Sequence, residues 1–291
     1  LHLNRPGAIG DIIMSLQAIH KYKIIHPDDK IIYYCDPGWK DLPLICPAVN
    51  EVRSSADFNL TIEGAQNLYG YNNQPLTKHL MWYFSKELGL DDHFYNYGFK
   101  PVFQPMQNDN LDLIIAENKH IITMHCTAGW SPYKNWSMDN WQIIVDRIHK
   151  TFPNKYVIVQ IGKEGDYGLD NVFNFIGKLR VVESVELIYN ATLHLGVDSF
   201  SNHATALLPY TKSVILWGST HPGIFGYGHN INIWKPLKCS PCNKVYDWLN
   251  KNNTEKCELD PKQSYNNPEH PCMNDIPVDE VWKCILKQLE K

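Results

Sequence analysis

The run Gly196-Val197-Asp198-Ser199-Phe200-Ser201-Asn202-His203-Ala204-Thr205-Ala206-Leu207-Leu208 places Asp, Ser and His close together at the head of an Ala/Leu-rich segment that reads as a helix. Asp and Ser favour the position before a helix because their oxygens accept from amides that the first turn leaves unpaired. That end of a helix also carries partial positive charge. A diphosphate suits such a place, although Asp-Ser before an apolar helix serves equally well as a plain cap. Downstream, Ser213-Val214-Ile215-Leu216-Trp217 reads as a buried strand, and Gly218-Ser219-Thr220-His221-Pro222-Gly223 as the small, polar loop that follows it. Helix, strand and Gly-containing loop belong to a doubly wound sheet, whose ligands sit beyond the carboxyl ends of the strands.

Working outward from this run, the same alternation extends in both directions. Upstream, His120 to His125 reads as a strand, Asn140 to Thr151 as a helix, Tyr156 to Ile161 as a strand, Val185 to Ala191 as a helix and Leu193 to Val197 as a strand. The first hundred residues repeat the grammar. Leu1 to Arg5 is a short strand, Pro6 to Asp11 a Gly-containing turn, and Ile12, Ile13, Leu16, Ile19 and Ile24 mark one face of a helix. Ile31 to Cys35 and Asp57 to Ile62 are expected strands, and Leu76 to Leu90 a helix. The polar, Pro-containing stretch Gln104 to Asn110 is expected to link the halves. The fold class that follows is α/β, with two Rossmann-like domains facing across a cleft. Their expected bounds are 1–110 and 111–275, with a C-terminal helix over 276–291.

A chain of 291 residues is long for one core and suits two domains. The net charge of −4, with no dense Lys/Arg run, argues against a nucleic-acid partner. No apolar stretch reaches the length of a membrane span, and the chain opens without the pattern of a secretion signal. It starts at Leu1 rather than Met, so it reads as trimmed or as part of a longer chain. A cytoplasmic enzyme is expected. Cys35, Cys46 and Cys126 are scattered in a way that suits a reducing compartment.

Several side chains stand where strands release their loops. Asp11 follows Gly7-Ala8-Ile9-Gly10 at the head of the first helix, where it is either a cleft-facing carboxylate or a residue favoured by the helix dipole. This turn lacks the third glycine of the dinucleotide fingerprint. Lys134, in the loop after the His120 to His125 strand, is either a phosphate-neutralising cation or a solvated surface lysine. In the next strand exit, Gly162 and Glu164 are candidates for a ribose, with a water-facing turn carboxylate as the plainer reading. Ser137 reads as a structural cap. Cys239-Ser240-Pro241-Cys242 is followed by Cys257 and Cys272 with fourteen residues between successive members, a set of thiols suited to tetrahedral zinc or iron. Free thiols or an adventitious disulfide fit the same spacing. Cys284 reads as packing in the final helix.

Taken together, these residues resemble glycosyltransferase family nine, the ADP-heptose:lipopolysaccharide heptosyltransferases of GT-B fold. The family's Gly-Asp turn is matched by Gly10-Asp11, its Lys-x-Trp by Lys134-Asn135-Trp136, and its Asp-[Ser/Thr]-Gly-x-x-His by Asp198-Ser199-Phe200-Ser201-Asn202-His203. Gly218-Ser219-Thr220-His221-Pro222 matches its Gly-x-Thr-Asp-Pro. Phe200 stands in place of a glycine and His221 in place of an aspartate. The resemblance implies an inverting, metal-independent transferase of cell-surface glycan biosynthesis, cytoplasmic or peripheral at the inner membrane surface. It implies Asp11 as general base, and donor binding by Lys134, Asp198, Ser199, Phe200, His203 and Thr220, to which the strand-exit reading adds Gly162 and Glu164. It also implies that the C-terminal helix over 276–291 returns to the first domain. The donor it implies is a nucleotide diphosphate sugar, an ADP-heptose-like sugar by kinship, and the acceptor a glycan or lipid-linked sugar. Family members often carry similar cysteines ending in a Cys-Met element like Cys272-Met273, a similarity that leaves a structural metal as one reading beside free thiols, and no catalytic cofactor is expected. A sugar-nucleotide epimerase or hydrolase, and a non-catalytic nucleotide-sugar binding protein, remain as alternatives.

Overall fold

The computed structural model describes residues 1–69, 76–90, 98–104, 114, 120–129, 131–243, 257, 259 and 270–290. Two parallel sheets organise them. The first contains β1 (His2–Asn4), β2 (Ile32–Cys35), β3 (Glu51–Ser54) and β4 (Ala65–Asn67), in the order β3-β2-β1-β4. The second contains β5 (His120–His125), β6 (Tyr156–Gln160), β7 (Phe173–Asn174), β8 (Leu193–Val197), β9 (Ser213–Trp217) and β10 (Ile231–Trp234), in the order β10-β9-β8-β5-β6-β7. Each order reverses beside the sheet's first strand, between β1 and β4 and again between β5 and β8. Such switch points open a crevice beyond the strand ends, so the turns leaving β1, β5 and β8 lie where a ligand is received.

Helix α1 (Ile9–Ile25) buries every residue from Asp11 to Ile19. A helix buried all round has neighbours on all sides, and α1 packs against α2 (Leu80–Glu87) in its own half and α5 (Phe200–Ala204) in the other. Ile24, expected on its apolar face, is exposed. Alternation along β5 divides the second half into two cores, since successive side chains point to opposite faces. Ile121 shares a core with Leu3, Ile13 and Phe84 of the first half and with Val185 and Ile188 of α4 (Val181–Tyr189). Ile122 and Met124 face a second core with Ile144 and Val145 of α3 (Met138–Thr151). The halves also meet through Leu208 N–H donating to Phe99 O at 2.9 Å, and through Arg180 Nη1 at 2.6 Å from Asp41 Oδ2.

Several expected elements shift. The strand expected over Asp57 to Ile62 is absent, because Asn59 Oδ1 accepts from Thr61 N–H and turns the chain, leaving Leu60 exposed. Strands β3 and β4 flank that turn instead. Helix α2 is shorter than expected: His79 Nδ1 accepts from Met81 N–H at its start, and Gly89, at φ 68°, stands just past its end. Helix α4 begins four residues early, where Glu183 accepts from Arg180 N–H. Most of the expected linker, including the boundary at 110/111, lies outside the described residues.

The C-terminal helix, α8 (Val278–Leu289), does not return to the first half. Its Val281 and Ile285 pack in the second core with Ile144 and Ile148, and Arg147 Nη1 meets Asp279 Oδ1 at 2.7 Å. An apolar stripe at positions 281 and 285 is complementary to α3 and β9, and burying it there uses it up within the second half. Truncating Ile285 to Ala is therefore expected to cost about 2–5 kcal/mol in denaturant unfolding. Ile24→Ala, on an exposed face, is expected to change stability by less than about 0.5 kcal/mol.

Candidate functional site

The loop leaving β5 is pinned before it reaches the site. Asn135 Oδ1 accepts from Ala128 N–H at 2.7 Å, Ser131 Oγ accepts from Tyr133 N–H, and Trp136 Nε1–H donates to Ile276 O. A single 3-10 turn, Pro132–Lys134, then delivers Lys134 Nζ to within 2.7 Å of Asp198 Oδ2. Thr220, from the loop after β9, donates its hydroxyl to the same oxygen at 2.6 Å. Three loops separated in sequence thus converge on one carboxylate at the second switch point. The pair is largely withdrawn from water, with side chains 13% and 4% exposed. Removing either partner would strand a buried charge.

Ser199 occupies the cap position of α5, but its hydroxyl makes no capping bond. It lies 2.8 Å from His125 Nδ1 and 2.9 Å from Ser201 Oγ, and His125 Nδ1 is 3.1 Å from Ser201 Oγ. Burial holds the His125 imidazole down at about 4, opposed by the Asp166 carboxylate. Phe200 lies against the His125 ring, with centroids 5.0 Å apart. The helix behind this head stops at Ala204, shorter than the Ala/Leu run implied, as Thr205 Oγ1 bonds back to Asn202 O. A five-residue helix has little dipole to offer, so positive potential here comes chiefly from Lys134.

The head of α1 faces this cluster from the other half. Asp11 is ion-paired with Arg5 at the end of β1. Ala8 precedes the helix at φ 58°, a left-handed conformation costly for a residue with a side chain. A Cβ on Gly10 would lie 2.7 Å from His203 Cδ2, so the missing side chain lets α1 and α5 touch. His203 Nδ1 is 3.1 Å from Tyr227 OH, to which Gln17 of α1 also donates at 3.4 Å. Burial lowers the His203 imidazole to about 3, with Asp198 opposing and His79 and Lys134 reinforcing.

Gly162 and Glu164 fare differently. Glu164 is exposed on a turn, and the acid that its loop turns inward is Asp166. A Cβ on Gly162 would lie 2.5 Å from Asp166 Oδ2, which accepts from Thr127 Oγ1 and Lys163 N–H. His221 caps α6 (Pro222–Phe225) by accepting from Gly223 N–H at 2.9 Å. The imidazole thus takes up the capping bond that an aspartate makes at such a position. Arg5, His125, Asp166 and Tyr227 were not singled out from the sequence. Asp166 alone had a signal, an acid two residues past Glu164 in the same strand exit.

Cys239, Cys242, Cys257 and Cys272 line one small pocket together with Tyr133 and Ser219. Burial, and then the thiols of Cys242, Cys257 and Cys239, push the Cys272 thiol up to about 12. Ser219 Oγ is buried beside them with no hydrogen-bond partner among the described residues. Four soft donors and an orphaned hydroxyl suit a bound metal. Among the described residues, however, no three His, Cys, Asp or Glu side chains stand close enough together to hold one.

The family model for glycosyltransferase family 9 (heptosyltransferase) matches residues 74–252, more than half of the chain. The chain belongs to this family. No curated protein sequence matches it. Among solved structures, it is similar to the iron-containing dodecameric glycosyltransferase TibC from enterotoxigenic E. coli H10407, at 14% identity and a TM-score of 0.74 over 99% of this chain and 75% of that one. It is similar to the family 9 glycosyltransferase from Veillonella parvula DSM 2008, at 13% identity and 0.70 over 100% and 97%. It is also similar to E. coli ADP-heptose lipopolysaccharide heptosyltransferase II, at 13% identity and 0.68 over 99% and 98%. TibC has also been solved with ADP-D-β-D-heptose, a structure matched at 14% identity and 0.70 over 99% and 75%. These likenesses establish a GT-B fold for this glycosyltransferase.

His125, His194 and His203 are buried and held neutral by that burial, at about 4, 3 and 3. Each is depressed below its unfolded value, so the unfolded chain binds protons that the folded one does not. Stability is then at its full value above about pH 6.5 and falls as the pH drops towards 4. Urea unfolding followed from pH 7 to pH 4.5 is expected to show this loss, with uptake of about four or five protons near pH 5, since burial lowers His79 and His229 to about 4 as well.

Proposed function

We propose that the chain is an inverting transferase that moves a heptose-like sugar from a nucleoside-diphosphate donor to a hydroxyl of a glycan or lipid-linked acceptor. One observation supports the reading: a Cβ on Gly10 would meet His203, so the turn that carries Asp11 lies against the helix that opens with the donor-side motif. The ADP-heptose bound by TibC supports an ADP-sugar as the donor. Asp198 and Thr220 would hold Lys134 in place, and the ammonium with the Ser199 hydroxyl would neutralise the departing diphosphate. Such preorganised donors are worth a few kcal/mol each where water is excluded. The acceptor oxygen would attack the anomeric carbon as the bond to the diphosphate breaks, and its proton would pass to Asp11. Attack opposite the leaving group inverts that centre. Gly162, Phe200 and His203 would shape the donor pocket, and Asp166 would do near it what Glu164, out in solvent, does not.

Asp11→Asn should keep ADP binding within about twofold of wild type and slow transfer by about 10²–10⁴-fold. Lys134→Ala should weaken ADP binding about tenfold or more in calorimetry. Donor incubated without acceptor should be consumed slowly; rapid consumption would favour a hydrolase or epimerase.

We further infer that Cys239, Cys242, Cys257 and Cys272 hold a structural zinc or iron, which requires the four thiols to draw closer together than they stand here, in keeping with the description of TibC as iron-containing. When bound, the metal would supply cross-linking of the C-terminal loops and no reactive chemistry. Elemental analysis of protein purified without oxygen or chelator is expected to find about one such metal per chain. A Cys239→Ser/Cys242→Ser variant is expected to lose it.

A further inference from the structure

The cysteine pocket and the Lys134–Asp198–Thr220 cluster share a wall. Two short backbone segments form it, and each presents one residue to either side. Tyr133 and Ser219 line the pocket, while their chain neighbours Lys134 and Thr220 bond the same oxygen of Asp198. The two segments are fastened to each other, since Ser219 N–H donates to Tyr133 O at 3.1 Å. A Cβ on Gly218 would run into that carbonyl, so the approach is as close as backbone allows.

Several described residues in and beside the pocket grip this wall. Cys257 N–H donates to the Tyr133 hydroxyl at 3.1 Å, and the ring of His270 meets that of Tyr133 edge-on at 5.5 Å. Ser240, between Cys239 and Cys242, donates its hydroxyl to Gly218 O at 3.0 Å. Asn243 N–H donates to Ser219 O at 2.9 Å, and Cys272 Sγ lies 4.0 Å from Tyr133 O. These contacts tie the described thiol-bearing residues to the chain at Tyr133, Gly218 and Ser219, next to Lys134 and Thr220.

We infer that the cysteine pocket is a control point for donor affinity, with Tyr133 and Ser240 as positioning residues that pass its state to the phosphate-facing cluster. This rests on the donor-site reading above. It does not depend on which group occupies the pocket, because any change that spreads or draws together the four thiols acts on the same two segments.

The test is calorimetric titration of the full chain with ADP, in a Cys284→Ser background so that the accessible thiols are those of the pocket. Tyr133→Phe removes the bond from Cys257, and Ser240→Ala removes the one to Gly218 from a partly exposed loop that can lose it without unfolding. Each is expected to weaken ADP binding by about fivefold, the worth of one ordinary hydrogen bond. Alkylation of the folded protein with N-ethylmaleimide should weaken it by about tenfold or more. Thermal midpoints in the absence of ADP report the fold separately, since a merely structural role would lower the midpoint and leave the ADP dissociation constant alone. Unchanged ADP affinity in both variants and in the alkylated protein would overturn the coupling. Failure of the parent protein to bind ADP would overturn the donor-site reading, and this inference with it.

Discussion

A carboxylate withdrawn from water needs partners for its charge and its lone pairs, and Asp198 finds both in side chains delivered by other strands. Lys134 reaches it from the exit of β5 and Thr220 from the exit of β9. Breaking a buried pair costs more than forming it gains, so this one interaction holds three loops of the second sheet to a single arrangement. It also keeps an ammonium, with donors to spare, at the switch point between β5 and β8. The rest of the site is organised around that fixed charge.

The second constraint is steric. Helix α1 is buried over its first three turns because it is wedged between its own sheet and α5 of the other half. Gly10 makes that wedge close enough for the head of α1 to touch His203. A pair of Rossmann-like halves joined there sets the turn that carries Asp11 against the short helix that follows Asp198 and Ser199. Tyr227 reinforces the seam by meeting Gln17 and His203 together. The neutral, buried histidines along it make the same junction sensitive to acid.

Strand and helix identities were legible wherever burial imposed a period. The runs His120 to His125, Leu193 to Val197 and Ser213 to Trp217 are apolar enough to be read as buried parallel strands, and all three are strands. The short edge strands β4, β7 and β10 were not legible, because two to four mostly half-exposed or exposed residues carry no pattern that distinguishes them from loop. Asp57 to Ile62 misled for the opposite reason, since its alternation is outweighed by an Asx turn at Asn59. The stripe of the final helix was visible, but an apolar face does not say which partner it will meet, and α3 and β9 proved the complementary surface.

The candidate site divides along the same line. Residue chemistry and spacing by themselves determined that Asp11, Lys134, Asp198, Ser199 and Thr220 stand at strand exits, and that four cysteines recur at spacings suited to soft-metal ligation, because those are properties of neighbours along the chain. Tertiary structure alone decided that Lys134 and Thr220 share one oxygen of Asp198, that Arg5 pairs with Asp11, that Asp166 rather than Glu164 turns inward, and that the cysteine pocket backs onto the Lys134–Asp198–Thr220 cluster. Those relations join residues up to more than a hundred positions apart. Their physical cause is the order in which parallel strands are laid side by side, and no local preference of the chain encodes that order.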